Sequence, residues 1–563
     1  MTTPAAEAGL DGATGGKLVV EALKTAGVRR VYLVPGGQTL GILDAAYGDG
    51  AIDMIAMRHE MGAAHAADGQ YRMTNMPGVC LVTTGPGLTH AASAVGGALR
   101  DRSGLVIISC NNRREYLEEE DAQAADHISI LRPLTKWSVQ VTDARALVRS
   151  LRTAFVLAAS APAGPVHVDI PRDILEAPVP EGVPWPGQGP APQSQQPVMA
   201  GPSALDRAAV LISSAERPVF WVGNGVTYAG AGTELLALAE KLKAPMVTTF
   251  SGIGAVPSDH PLVFGPRTRH GTRLARSVLD QADLVFAVGM RLSSSSTHRW
   301  TLPLPVLVHN DADLASIGRH YTPDVALPGD AGLVIDGLAG RVTASTGTAR
   351  DTWLEALAKE RTDWLQQLAE SPVEDAEGRL HPIELMRQLA DAVPEDAVFS
   401  VDAGNPGIWS HLLPLKRPRS YMKPVNFGQM GFALPAGIAA KLAHPDRPVV
   451  VVVGDGALGM SVADIETAVR RRLEVTIVVL NDSAYNNIRQ EQLFLTGEPR
   501  YIGVDFGDVD FARVAEGFGA WGRRAQGAHQ VRAALREALT QRGRPALVDV
   551  VLDPVPSAWA HLF

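Results

Sequence analysis

Asp455 stands between Gly454 and Gly456 in VVVVVGDGALGM, where a valine run ends, and Asp482 closes the next apolar run, VTIVVLND. The glycine spacing, G-x-G-x-x-G, invites a dinucleotide turn, in which backbone N–H groups meet a pyrophosphate at the start of a helix. A carboxylate in the middle of such a turn repels that anion. The conflict disappears if a divalent cation lies between carboxylate and phosphates. Mg2+ takes oxygen ligands in a near-octahedral array and commonly shares them between carboxylates and substrate phosphates. Asp482 follows Asp455 by about one strand–helix–strand unit, so the chain returns a second acidic oxygen to the neighbouring strand end. A lone glycine triplet is a weak motif, and these residues by themselves leave a solvated turn with acidic decoration equally open.

Glu60, in IAMRHEMGAAHAADGQYR, falls in a first helical turn after a strand, where the helix dipole favours a carboxylate for purely structural reasons. His59 and His65 do not have the i, i+4 spacing of a zinc-binding helix. Cys80 and Cys110 each lie in an apolar run and read as small buried hydrophobes in a reducing compartment. Lys plus Arg number 51 against 60 Asp plus Glu, with no dense basic stripe, which argues against a nucleic-acid partner. The N-terminal MTTPAAEAGLDGATGG has no basic stretch leading into an apolar core. No run approaches the ~18 apolar residues that span a bilayer, so a cytoplasmic protein without membrane contact is expected.

These residues need strands and turns to position them. A chain of 563 residues with 46% hydrophobic content has room for about three or four domains. A Pro-, Gly- and Gln-rich stretch over 179–203 reads as a linker. A polar stretch after residue 342 contains a helical connector, marked by Trp353, Leu354, Leu357, Trp364 and Leu365. The three segments so defined open alike, with a helical stretch, a polar break and a strand ending in glycine. Within them, continuous apolar runs such as GVCLVTT, ADLVFAVGM and EVTIVVLND alternate with amphipathic helices. That pattern predicts an α/β fold of doubly wound parallel sheets, with ligands at the carboxyl ends of the strands.

The GDG turn closing a valine-rich strand, with an Asn-containing pair at the next strand end, resembles the metal–diphosphate motif of the thiamine diphosphate enzymes. RHEMGAAHAADGQYR followed by TTGPG (Thr83 to Gly87), VDAGNPG (Val401 to Gly407) and NFGQMGFALPAG (Asn426 to Gly437) extend the likeness in that family's order. The branch is that of acetolactate synthase and benzaldehyde lyase. The resemblance implies three doubly wound domains, a pyrimidine-binding domain over 14–182, a central domain over 203–342 and a pyrophosphate-binding domain over 378–555. It implies thiamine diphosphate and Mg2+ as cofactors, the metal held by Asp455, Asp482 and the backbone carbonyl of Ala484. The diphosphate would lie against Gly454, Gly456 and Ala457 and against Gly404 and Asn405. The Gly428 carbonyl would receive the cofactor's amino group, and Met430 would wedge between its rings. Glu60 becomes the catalytic carboxyl, which in an apolar site can exchange a proton with the pyrimidine ring. Asn481-Asp482 departs from the Asn-Asn usual in this branch, keeping a competent ligand and adding a negative charge. In the family the two halves of the site meet across a subunit interface, so a homodimer or homotetramer is implied.

For the reaction, the resemblance implies a carboligase of acetolactate synthase type that joins an acyl unit from a 2-oxoacid to a second carbonyl. Small 2-oxoacids or aldehydes are the expected substrates. Gln123 precedes Lys136 by the spacing of acetolactate synthases, and Gln38 in VPGGQT takes the place of a benzaldehyde lyase histidine. Asn487 and Ile488 should face the substrate, while Glu491 stands where acetolactate synthases carry a selectivity tryptophan. The alternatives are a benzaldehyde lyase-like C–C lyase with Gln38 as the polar group, a 2-oxoacid decarboxylase, and a non-catalytic protein of the same fold. The last is disfavoured because Glu60, Asp455 and Asp482 are all present. RTRHGT resembles a flavin-proximal segment, but GMRLSSSSTHRW lacks the matching one, so bound FAD is the less favoured reading.

Overall fold

A computed structural model describes residues 12–554 apart from 118, 184, 188–196 and 270. The N-terminal stretch through residue 11, much of the expected linker, and residue 555 at the expected end of the third domain lie outside the described residues.

Among the described residues the apolar runs form eighteen strands in three six-stranded parallel sheets. The first contains β1 (Arg30–Leu33), β2 (Asp53–Ala56), β3 (Gly78–Val82), β4 (Leu105–Asn111), β5 (Trp137–Gln140) and β6 (Pro165–Pro171), in the order β2-β1-β3-β4-β6-β5. The second contains β7 (Pro218–Val222), β8 (Met246–Thr248), β9 (Val263–Pro266), β10 (Leu284–Val288), β11 (Val306–Asp311) and β12 (Val325–Pro328), in the order β12-β11-β10-β7-β8-β9. The third contains β13 (Val398–Val401), β14 (Tyr421–Met422), β15 (Val449–Gly454), β16 (Val475–Asn481), β17 (Trp521–Gln526) and β18 (Ala546–Val551), in the order β14-β13-β15-β16-β18-β17. The first and third sheets thus share one order, and the central sheet has another, that of dinucleotide-binding folds. The three similar segment openings seen in the sequence conceal this difference. Every residue of β3, β4, β7, β10 and β16 is buried, as strands covered by helices on both faces require. Cys80 and Cys110 are buried and unbridged in β3 and β4.

The chain divides into two compact units, one of residues up to 195 with 426–443 and 461–471, the other of 196–425, 444–460 and 472 onward. In the first unit, helix Glu60–Thr74 lies against helix Ala433–Ala443. A Cβ on Gly69 would stand 2.7 Å from the Cα of Ala436, so the backbones approach as closely as glycine allows. In the second unit, the connector is helix Thr348–Ala369. It buries Trp353 and Leu357 as the spacing predicts, but Leu365 is 51% exposed. Arg350 is buried instead, its guanidinium donating to the carbonyls of Ser213 and Ala215 at 2.9 and 2.6 Å. No described helix is long and apolar enough to cross a membrane.

Candidate active site

In the first unit, the loops after β1, β2, β3 and β4 converge on one polar cluster. Glu60 opens its helix directly after β2, with His59 as N-cap, the imidazole Nδ1 accepting from the Met61 N–H at 3.1 Å. The Glu60 side chain is 11% exposed, and its Oε2 lies 3.0 Å from Nδ1 of His90 on helix Pro86–Asp101. The His59 and His90 rings face each other at 4.7 Å. Gly87 leaves room beside Glu60, since a Cβ there would stand 3.6 Å from Oε1 and 2.8 Å from the Thr83 methyl.

Gln38 follows β1 and is fixed at both ends of its amide. The Thr83 hydroxyl donates to Oε1 at 2.7 Å, and Nε2 donates to Asn112 Oδ1 at 2.9 Å. Asn112 in turn donates to the Ala122 carbonyl at 2.9 Å. Gln123 sits in the loop after β4 with left-handed backbone, φ 62°, and an exposed side chain. Its carbonyl presses so close to Gly85 (φ 56°) that a Cβ there would lie 2.2 Å away. Lys136, the other half of the spacing signal, donates instead to the carbonyls of Leu157 and Ser160 at 2.5 and 2.8 Å. Burial pushes its ammonium down to about 8.

A buried network beneath holds this loop. Asp169 on β6 is 2.7 Å from Nδ1 of His127, whose Nε2 accepts from the Gly85 N–H at 3.0 Å. This places the ring proton on Nδ1. Burial works to raise the Asp169 pKa, and the hydrogen bond from His127, with further donors such as Gln140, outweighs it, leaving the carboxyl below its usual range. Gly428 and Met430 also belong to this unit. Gly428 is exposed with φ 71°, no atom stands within 4 Å of where its Cβ would be, and Met430 is half-buried.

In the second unit, the ends of β15 and β16 lie side by side, Gly454 opposite Leu480. Asp455 starts the short helix Asp455–Gly459. Its Oδ1 accepts from the Gly456 N–H at 2.7 Å and its Oδ2 from the Ala484 N–H at 3.1 Å. Asp482 is half-buried, and its Oδ2 accepts from the Asn486 carboxamide at 2.6 Å. Burial, eased by backbone N–H donors, pushes Asp455 up to about 6; burial and the neighbouring Asp455 push Asp482 up to about 8. Among the described residues no cation neutralises the pair at salt-bridge distance. Two carboxylates that repel each other at adjacent strand ends, with the Ala484 backbone alongside, suit a hard divalent cation. Gly404 has φ 79° and caps helix Asn405–Trp409, and Asn405 Oδ1 accepts from the Asn487 carboxamide at 3.0 Å. Ala457 is buried and Ile488 is 47% exposed. Of the three glycines in the fingerprint, only Gly456 is demanded by close contact: a Cβ there would meet the Tyr485 ring at 2.5 Å, whereas Gly459 has open space.

The two outer sheets repeat this plan. Asn111 ends β4 and its carboxamide donates to Asp169 Oδ2 at 2.9 Å; Asn481 ends β16 and donates to Asp549 Oδ1 at 2.9 Å. In both sheets the Asn strand pairs with the Asp strand, Ser109 opposite Asp169 and Val479 opposite Asp549. Asn112 therefore corresponds to Asp482. In the central sheet, the turn where a dinucleotide phosphate would rest has its donors engaged. The N–H groups of Gly223 and Gly225 both donate at 2.9 Å, to the carbonyls of Val288 and Gly289. That turn does not fit a flavin diphosphate well.

The sequence reading missed His90, Asn112 and the His127–Asp169 pair. The double Asn ending β4, in CNNRR, was a usable signal because it parallels the Asn-Asp ending β16. His90, in a helical run of small residues, carried none.

Comparison with known proteins covers nearly all of the chain. It matches the thiamine pyrophosphate enzyme N-terminal TPP binding domain over residues 13–130, the central domain over 205–338, and the C-terminal TPP binding domain over 402–550. It is 32% identical over 552 residues to the acetolactate synthase isozyme 3 large subunit of Escherichia coli, covering 96% of this chain and 95% of that one. A probable acetolactate synthase large subunit of Methanocaldococcus jannaschii is 31% identical over 547 residues, 96% of this chain and 92% of that one. The acetolactate synthase large subunit of Corynebacterium glutamicum is 31% identical over 563 residues, 97% and 88%.

Proposed function

The chain belongs to the thiamine pyrophosphate enzymes, in their acetolactate synthase-like branch, and from that premise we propose how its residues divide the work. It is a thiamine diphosphate-dependent carboligase of acetolactate synthase type. Mg2+ is held by Asp455, Asp482 and the Ala484 carbonyl, with the diphosphate against Gly404, Asn405, Gly454, Gly456 and Ala457. The observation that carries this is the pair of carboxylates at the neighbouring ends of β15 and β16, both raised in pKa by burial and Asp482 also by Asp455, with the Ala484 N–H on Asp455. When bound, thiamine diphosphate supplies the carbon nucleophile and electron sink through which a C–C bond is broken and another made.

The protein's own groups handle protons and orientation. Glu60 holds and passes a proton at the pyrimidine end of the cofactor, with His90 Nδ1 3.0 Å from its carboxyl. Gln38, locked by Thr83 and Asn112, presents its remaining N–H to a substrate carbonyl or hydroxyl oxygen, and Gln123 flanks the same opening. Asn487 and Ile488 border the metal side, the Gly428 carbonyl would receive the cofactor's amino group, Met430 would pack against its rings, and FAD is the less favoured further cofactor. The domain bounds are 14–182, 203–342 and 378–555. The protein works in the cytoplasm on small 2-oxoacids or aldehydes, as a homodimer or homotetramer whose copies complete each other's sites.

The test supplies pyruvate with thiamine diphosphate and Mg2+, alone and with aldehyde acceptors, and follows both 2-oxoacid consumption and the joined product by mass spectrometry. Consumption without a joined product would establish a decarboxylase instead. Cleavage of 2-hydroxyketones with no 2-oxoacid turnover would establish a lyase.

A further inference from the structure

A cavity of about 310 Å³ lies within the second unit, away from Asp455 and Asp482 in sequence and lining. Three walls enclose it: strand ends and loops of the central sheet, the connector helix Thr348–Ala369, and residues 411–414, which continue from the helix that carries Asn405. Most of the lining is aliphatic or aromatic, with Ile253, Val256, Leu274 and Leu413 prominent.

Its polar lining includes Ser258, Thr272 and His411, and on one side three groups that offer donors. Thr248, at the end of β8, is 4% exposed, and its hydroxyl has no hydrogen-bond partner among the described residues. The Trp364 indole N–H is also buried without a described partner. Arg361 stacks on Phe264, 4.2 Å from the ring centre, and spends donors on the carbonyls of Val263 at 2.6 Å and His260 at 3.5 Å. A guanidinium has five N–H groups, so some remain. Among the described residues no carboxylate pairs with Arg361, and burial lowers its pKa. The one acidic lining residue, Asp259, is half-exposed and lies 3.9 Å from Lys416.

Buried donors without acceptors, around one unpaired cation, are complementary to an oxyanion. The single charge and the apolar walls match one carboxylate on an apolar body better than a phosphate. At about 30 Å³ for each water-sized atom, the volume holds about ten non-hydrogen atoms. We propose that this cavity is a second ligand site, for a monocarboxylate with a compact apolar body, its head group met by Arg361, Trp364 and Thr248. The site does not depend on the catalytic assignment above.

Octanoate, with ten non-hydrogen atoms, is the probe. Calorimetry and tryptophan fluorescence on the full chain should show one octanoate bound per chain, with octan-1-ol at least tenfold weaker and octylamine not bound. Thr248→Val, which keeps shape and loses the hydroxyl, should weaken octanoate at least threefold. Trp364→Phe should do the same and remove the fluorescence change. Arg361→Met should abolish binding; if that variant does not fold, Thr248→Val and Trp364→Phe decide alone. Equal binding of octanoate and octanol would show a merely greasy crevice and overturn the proposal. So would binding that Thr248→Val and Trp364→Phe leave untouched, the result expected if the carboxylate seats at the catalytic site or on the surface, and so would no binding at all.

Discussion

The backbone N–H of Ala484 donates to Oδ2 of Asp455 over 3.1 Å, so the turn after β16 holds the carboxylate at the end of β15. One carboxyl is thereby aimed by the segment that carries the other, so any cation they share should feel a change in register at either strand end.

Asp455→Ala should lower Mg2+ affinity more than about a hundredfold and leave thiamine diphosphate unretained after gel filtration, while the fold persists. Far-ultraviolet circular dichroism and the cofactor content of the eluted protein provide the check. A variant that keeps its cofactor as wild type does would contradict the metal assignment.

Metal binding should depend on pH in a particular direction. A cation takes the ionised carboxylates, yet Asp455 holds its proton to about 6 and Asp482 to about 8. Apparent Mg2+ affinity should therefore climb from pH 6 to above pH 8 and then level. Without metal, the native state binds more protons than the unfolded chain between about pH 4 and 8, so these groups make the protein less stable as pH rises through that window. Mg2+ should then raise Tm more at pH 8 than at pH 6, and Asp482→Asn should remove the upper part of the effect. A Tm increment independent of pH would refute this account.

Glu60→Gln should lower kcat by about 10²–10⁴ with cofactor binding largely kept. If subunits complete each other's sites, co-expressed Glu60→Gln and Asp455→Ala chains should regain about a quarter of wild-type activity, because half the dimers are hybrids with one intact site. No recovery in isolated hybrids would mean that each chain builds its own site.

Gln38→Ala should strip partners from the Thr83 hydroxyl and the Asn112 carboxamide, costing about 1–3 kcal/mol. Steady-state kinetics should show kcat/KM down at least tenfold, with the loss greater than the Tm change explains. Unchanged kinetics would remove Gln38 from the substrate's path.

Gly69→Val forces a branched side chain against the backbone of Ala436, 2.7 Å from where its Cβ stands. Neither helix can retreat without opening its core, so about 3 kcal/mol of destabilisation is expected, the upper range for overpacking. Chemical denaturation that shows less than about 1 kcal/mol would mean the two helices separate easily.

The strands and the pairing of their ends were legible in the sequence because the signals are local: valine runs mark buried parallel strands, and Asp455 and Asp482 close neighbouring ones. Strand order was not. The segments containing β1, β7 and β13 look alike when read linearly, yet β7 neighbours β8 and β10 while β1 neighbours β2 and β3. That difference lies in the crossovers, which no residue pattern encodes. His90 was hidden for a related reason, since its pairing with Glu60 exists only once β2 and β3 are neighbours of β1. The connector helix was found, but its buried Arg350 was not, because a charged side chain satisfied by backbone carbonyls resembles a surface residue until the fold is known.

The matched pairs Asn111–Asp169 and Asn481–Asp549 show that the two outer sheets use one plan and differ in charge beside it. Asn112 and Asp482 are where the two sheets part: the amide anchors Gln38, and the carboxylate accepts from Asn486 beside Asp455. Asn112→Asp would give the first sheet the second's charge, placing an anion beside Gln38 and removing the donor to the Ala122 carbonyl. The shared strand order puts an amide in one sheet where the other has an acid, so the two equivalent positions differ by one charge.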